Sequence, residues 1–138
     1  MPLSYRIVPS RGLVYVRYWG LCVLDETRAV FERYAADPLC RTGQAQLLDL
    51  GAVEGFETDY TERMALHARM ADVLSRDGAR TLVAYYAPTP VTYQPALLMR
   101  DTYDGIGGIV ARVLETQADA LSFLGQPERS FAALLETT

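Results

Sequence analysis

Lysine and asparagine are missing from this chain: all 13 basic residues among its 138 are arginine. A Schiff-base lysine, a phosphate-loop lysine and a lysine general base are therefore excluded. Cysteine is almost as scarce. Cys22 and Cys40 stand far apart between apolar neighbours and form no CxxC or Cys/His cluster. Neither a zinc site nor a redox pair is written there, and the two thiols read as those of a protein in a reducing cytoplasm. His67 is the one histidine. A Ser-His-Asp set would have to recruit Ser4, Ser10, Ser75, Ser122 or Ser130, none of which lies in a GxSxG elbow.

No apolar run approaches the ~20 residues of a membrane-spanning helix. The opening "MPLSYRIVPSRG" has no continuous apolar core, so a secretory signal is not expected. The formal net charge is −4 and the arginines are dispersed, which argues against nucleic acid and anionic membrane as partners. Half of the residues are hydrophobic and 22% are charged, the balance of a globular chain long enough to bury a real core, read as one domain over 1–138.

Two β-branched and aromatic runs, residues 3–8 and 13–19, are joined by "PSRG" and predict an antiparallel hairpin. Tyr5, Tyr15, Tyr18 and Trp19 either line a site there or pack a half-buried sheet. A helix follows over about 25–36, with Val23, Thr27, Val30, Phe31 and Tyr34 on one stripe and "DP" as its stop. "AQLLDLGAV" (45–53) predicts a central strand, apolar on both faces apart from Asp49.

The acidic link after it leads into a helix over about 59–76, with Asp59 three residues before Glu62 in capping spacing. His67 falls on that helix's buried stripe, among Met64, Leu66, Met70, Ala71, Val73 and Leu74. "RTLVAYYAP" (80–88) is a further strand. "TPVTYQP" reads as a loop leading to a helix at 96–104, stopped by "GIGG" (105–108), which is not a nucleotide loop. A strand at 109–116, a short helix at 117–125 and a last helix from Pro127 to about 136 complete the chain. The order β-β-α-β-α-β-α-β-α-α predicts an α/β fold with a mixed, mostly parallel sheet covered by helices.

Several stretches together resemble the STAS-like family, the fold of sulphate-transporter and anti-sigma-factor-antagonist domains. They are the hairpin ending in "YWG", "FERYAADP", "AQLLDLGAVEGFE" before a long helix, "LVAYYAPTP", and "ARVLETQADALSFLG". The similarity runs from about residue 5 to 125. It lies closest to a small bacterial branch grouped with Sec14-type lipid-binding domains. The resemblance implies a non-enzymatic regulatory or protein-interaction module, or alternatively a carrier or sensor of a small apolar, lipid-like ligand. In the regulatory relatives the strand-to-helix loop carries a phosphorylated serine. That place falls here on Glu57-Thr58-Asp59, where only Thr58 can accept a phosphoryl group, between two acids.

Ligands of open α/β sheets bind beyond the carboxyl ends of the parallel strands. Two segments are expected there, and they offer Phe56, Glu57, Thr58, Asp59, Tyr60, Thr89 and Tyr93 as a candidate partner or ligand surface with no evident reactive centre. Asp49, Glu54, Glu57 and Asp59 could hold a hard cation, but capping and solvation explain them as well. No catalytic residue, metal site or cofactor is expected. The partner is an unnamed protein or a small apolar molecule, and a homodimer is compatible with the pattern.

Overall fold

The computed structural model describes residues 3–104 and 106–137, without the side chains of Tyr60 and Asp77. Its five-stranded sheet has the order β1-β2-β3-β4-β5. β1 (Leu3–Val8) and β2 (Leu13–Cys22) form the expected hairpin, turned by Pro9–Arg11 and by Gly12 at φ 58°. β3 (Ala45–Phe56), β4 (Thr81–Tyr86) and β5 (Ile109–Leu114) then add in parallel.

Because the strands are laid down in consecutive order, right-handed crossovers bring all the intervening helices to one face. These are α1 (Leu24–Ala35), α2 (Tyr60–Leu74) and α3 (Pro90–Asp101). They enclose a first core with Val14, Val16, Leu50, Val83, Tyr85 and Ala111 of the sheet. The stripe expected on α1 is buried at Thr27, Val30, Phe31 and Tyr34. α4 (Gln117–Phe123) and α5 (Phe131–Glu136) lie on the other face, over a second core of Val8, Leu13, Leu47 and Ala84.

The two helix-bearing faces are unequally covered. α4 and α5 pack over the hairpin-turn end of β1 and β2, the start of β3, and β4 and β5 as far as Tyr86 and Leu114, and Arg11 in the hairpin turn holds the segment between them. Its guanidinium bonds Gln126 at 2.7 Å and both carboxylate oxygens of Glu128 at 2.8 Å. Phe131 closes this cover, with its ring against Tyr15 and edge-on to Tyr86. β3 is paired with β4 only from Gln46 to Asp49, but with β2 all the way to Phe56. The ends of β2 and β3 therefore continue past the rest of the sheet as a two-stranded ribbon.

Four expectations are corrected here. β2 continues to Cys22 and β3 to Phe56, so Glu54, Gly55 and Phe56 are strand and not link. α3 begins at Pro90, so "PVTYQP" is helix and Thr89 is its cap. The last helix begins at Phe131, with Ser130 as its cap accepting from the Ala133 amide, so Pro127 precedes it. Met64, placed on the buried stripe of α2, is 39% exposed. The "GIGG" stop includes Gly105, which lies outside the described residues.

Candidate functional site

The turn at residues 57–59 joins β3 to α2 at the tip of the ribbon, and each of its acids has a structural task. α1 begins after Val23, which has no side-chain acceptor for the helix's first amides. Glu57 supplies one: its Oε2 accepts the Leu24 N–H at 3.0 Å. A carboxylate at a helix N-terminus also meets the positive end of the helix dipole. The Glu57 amide donates to the Cys22 carbonyl at 2.9 Å, and its carbonyl accepts from Arg63 at 2.7 Å. Asp59 caps α2 as its spacing predicts, accepting the Glu62 N–H at 3.0 Å. Arg28 of α1 bridges Asp25 and Glu62, both at 2.7 Å.

Phe56 is half-buried beneath the Arg63 guanidinium, 6.0 Å from the ring centroid. Thr58 is exposed, and its hydroxyl has no hydrogen-bond partner among the described residues. Tyr60 opens α2, but its side chain lies outside the described residues. The turn is thus pinned to the starts of two helices and presents Thr58 at its apex.

The second expected segment is built differently. Thr89 is the N-cap of α3, and Thr89 and Thr92 cap one another reciprocally, with Pro90 at the first helical position. Thr92 is fully buried, and Tyr93 is a half-buried residue of the first turns. No hydrogen bond, ion pair or ring contact joins Thr89 or Tyr93 to residues 56–59 among the described residues. The two segments are thus built on different elements: the turn at 57–59 on the end of the ribbon, and Thr89 and Tyr93 at the start of α3.

Between the helices and the sheet lies a buried cluster that the sequence pattern signalled only at His67. The imidazole is 7% exposed and stacks on Tyr103, with ring centroids 5.1 Å apart and planes 7° from parallel. Its Nδ1 is hydrogen-bonded to the Thr102 hydroxyl, which donates its own proton to the Met99 carbonyl at 2.6 Å. A hydroxyl has one hydrogen, so Nδ1 must carry the proton between them and Nε2 is left as the acceptor. Burial, helped by the Arg63 charge, pulls the imidazole pKa down to about 4.

Cys22 faces the same space, and burial pushes its thiol up to about 12, which leaves it protonated at neutral pH. The Tyr18, Tyr85 and Tyr103 phenols are likewise raised by burial. Two small cavities adjoin here, each about 50 Å³ and sharing Tyr18, Thr27, Leu48 and Met70 in their walls. A volume of that size admits a few waters, whereas small-molecule sites run to roughly 300–1,000 Å³. Larger hollows, about 360 and 440 Å³, lie on the outside along the edge strands β1 and β5.

On the opposite face Tyr15 donates to Asp49 Oδ2, and Asp49 Oδ1 accepts the Gly51 N–H at 3.0 Å. The Tyr15 partner of Asp49 depends on the strand register, which places Tyr15 beside Leu47 and Arg17 beside Asp49. Among the described residues no three His, Cys, Asp or Glu side chains gather as a metal site, and no helix is long and apolar enough to cross a membrane. Neither a protein-family model nor a curated protein matches the chain.

Proposed function

We propose that this protein is a non-enzymatic interaction module of the STAS-like type, whose protein partner meets the turn at residues 57–59 and the first turns of α2. The observation that carries this reading is a turn that is both exposed and fixed. Glu57 ties it to α1, Asp59 ties it to α2, and Arg63 holds the Glu57 carbonyl. A surface already held in one shape loses little entropy on binding. Thr58 stands at its apex, and the 39%-exposed Met64 adds an apolar contact one turn into the helix. Thr58 is also the hydroxyl open to a kinase, at the place where the regulatory STAS proteins carry their phosphorylated serine. Two free cysteines suit a cytoplasmic setting.

A second reading, a carrier of a small apolar ligand, is favoured by the two adjoining apolar cavities. Met70, one of the side chains between them, is of the flexible kind that re-packs easily. Even merged, they fall well short of the volume a lipid-like ligand needs, so the interaction reading is preferred.

The test substitutes the two exposed side chains. Thr58→Arg and Met64→Glu, expressed in tagged form in the native host, are expected to lose the co-isolated partner while melting at the wild-type temperature. Retention of the same partner by both variants contradicts the proposed surface.

A further inference from the structure

The half of the sheet that α4 and α5 leave uncovered has a composition that the turn at 57–59 does not explain. Along β2, strand alternation puts Tyr15, Arg17, Trp19 and Leu21 on this face, opposite Val14, Val16, Tyr18 and Cys22 in the first core. The Arg17 guanidinium lies over the Trp19 ring, 5.3 Å from its centroid, and Leu21 is 55% exposed.

β3 makes its contribution through two irregularities. Its register against β2 slips once between Asp49 and Ala52 and again between Val53 and Gly55. Each slip is a bulge that turns two successive residues to one side. Gly51 with Ala52, and Glu54 with Gly55, therefore join the uncovered face, while Leu50 and Val53 return to the first core and Phe56 to the cavity beneath the helices. Two contacts agree with this placement. A Cβ on Gly51 would meet Asp49 and Tyr86 at 3.1 Å, and one on Gly55 would meet Leu21 at 3.5 Å.

The result is a patch with Trp19 near its middle, small residues beside it, Arg17 toward the covered half and Glu54 toward the tip. Gly51, Ala52 and Glu54 are all exposed, as is Arg17.

We propose that this patch is the interface of a homodimer, in which two copies meet face to face about a two-fold axis running across the strands at Trp19. An isologous contact requires a surface that complements itself. Such an axis stacks Trp19 on its symmetry mate. It also brings Arg17 of each copy to the level of Glu54 of the other, one strand across, so two opposite-charge pairs flank the aromatic centre. The same rotation lays the α4 and α5 half of each copy opposite the ribbon tip of the other, so the helical cover bounds the contact at both ends. Trp and Arg at the centre of a patch are the residue types that dominate interface energetics. The inference does not depend on the partner proposed for the turn at 57–59.

The test is a charge exchange followed by light scattering or sedimentation. Wild-type protein is expected to be dimeric at tens of micromolar, with Trp19 emission shifting to shorter wavelength as the concentration rises. Arg17→Glu and Glu54→Arg each set like charges opposite one another and should weaken the dimer at least about tenfold. Both substitutions are on exposed side chains, and unchanged circular dichroism checks the fold. Mixing the two single variants restores both pairs in one heterodimer, so the mixture is expected to dimerise although neither component does. A wild-type monomer at every concentration overturns the proposal, and so do single variants that remain dimeric or a mixture that stays monomeric.

Discussion

The imidazole of His67 lies flat on the phenol of Tyr103, 5.1 Å from centroid to centroid, and is tied through Nδ1 to Thr102. This joins the middle of α2 to the end of α3 above the sheet, and it makes the only histidine a neutral, buried group. In the folded protein its pKa is about 4, against an ordinary value of 6.5. The unfolded chain therefore takes up a proton as the pH falls through 6.5 while the folded chain does not, and stability is lost between pH 6.5 and 4. The loss is expected to be on the order of 3 kcal/mol relative to His67→Gln, measured by urea unfolding at pH 7 and pH 4. Nitrogen NMR at pH 7 should show the Nδ1–H tautomer. Equal pH dependence of wild type and variant contradicts the buried placement.

Glu57 holds α1 from the far side of the ribbon. Its removal strips the helix of the acceptor that Val23 cannot provide. Glu57→Ala is expected to cost about 1–2 kcal/mol and to speed hydrogen exchange at the first amides of α1. Glu57→Gln, which keeps an acceptor but no charge, should recover part of the loss. A substitution without effect on α1 would show that the carboxylate is merely solvated.

Gly107 and Gly108 are neighbours with opposite demands. A Cβ on Gly107 meets nothing within 4 Å, whereas on Gly108, at φ +90°, it would lie 2.9 Å from Ser75 Cβ and 3.0 Å from the Ala79 carbonyl. Gly108→Ala is expected to destabilise by roughly 2–4 kcal/mol, through strain and displaced backbone. Gly107→Ala should stay within about 0.5 kcal/mol. Thermal melting of the pair decides it.

The parts of this structure that depend on near neighbours in the chain were legible in the sequence. The stripe of Thr27, Val30, Phe31 and Tyr34, the cap at Asp59 and the burial of His67 all follow from helical spacing, and the mixed sheet follows from the alternation of strands and helices. The start of α3 was obscured because Pro95 inside the helix imitates a break and the capping box uses Thr92 where Glu is usual. Pro90 after Thr89 was the available signal. The extension of β3 was hidden because Glu54 and Gly55 read as loop, although they are the second bulge of a ribbon shaped by β2. The capping role of Glu57 is hidden because its partner, Leu24, is 33 residues away. The Tyr15–Asp49 bond and the uncovered patch likewise depend on register between strands, which local spacing does not encode.

The central claim is that the chain works by binding a protein at the turn presenting Thr58, and not by carrying a small apolar ligand. Native mass spectrometry of the protein isolated from its own host tests it most directly. The expected spectrum shows a protein partner bound in defined stoichiometry, with any phosphate mapping to Thr58, and chain mass without a lipid adduct. The partner should disappear in Met64→Glu. A stoichiometric apolar small molecule retained by the wild-type chain, with no protein partner, would contradict the account.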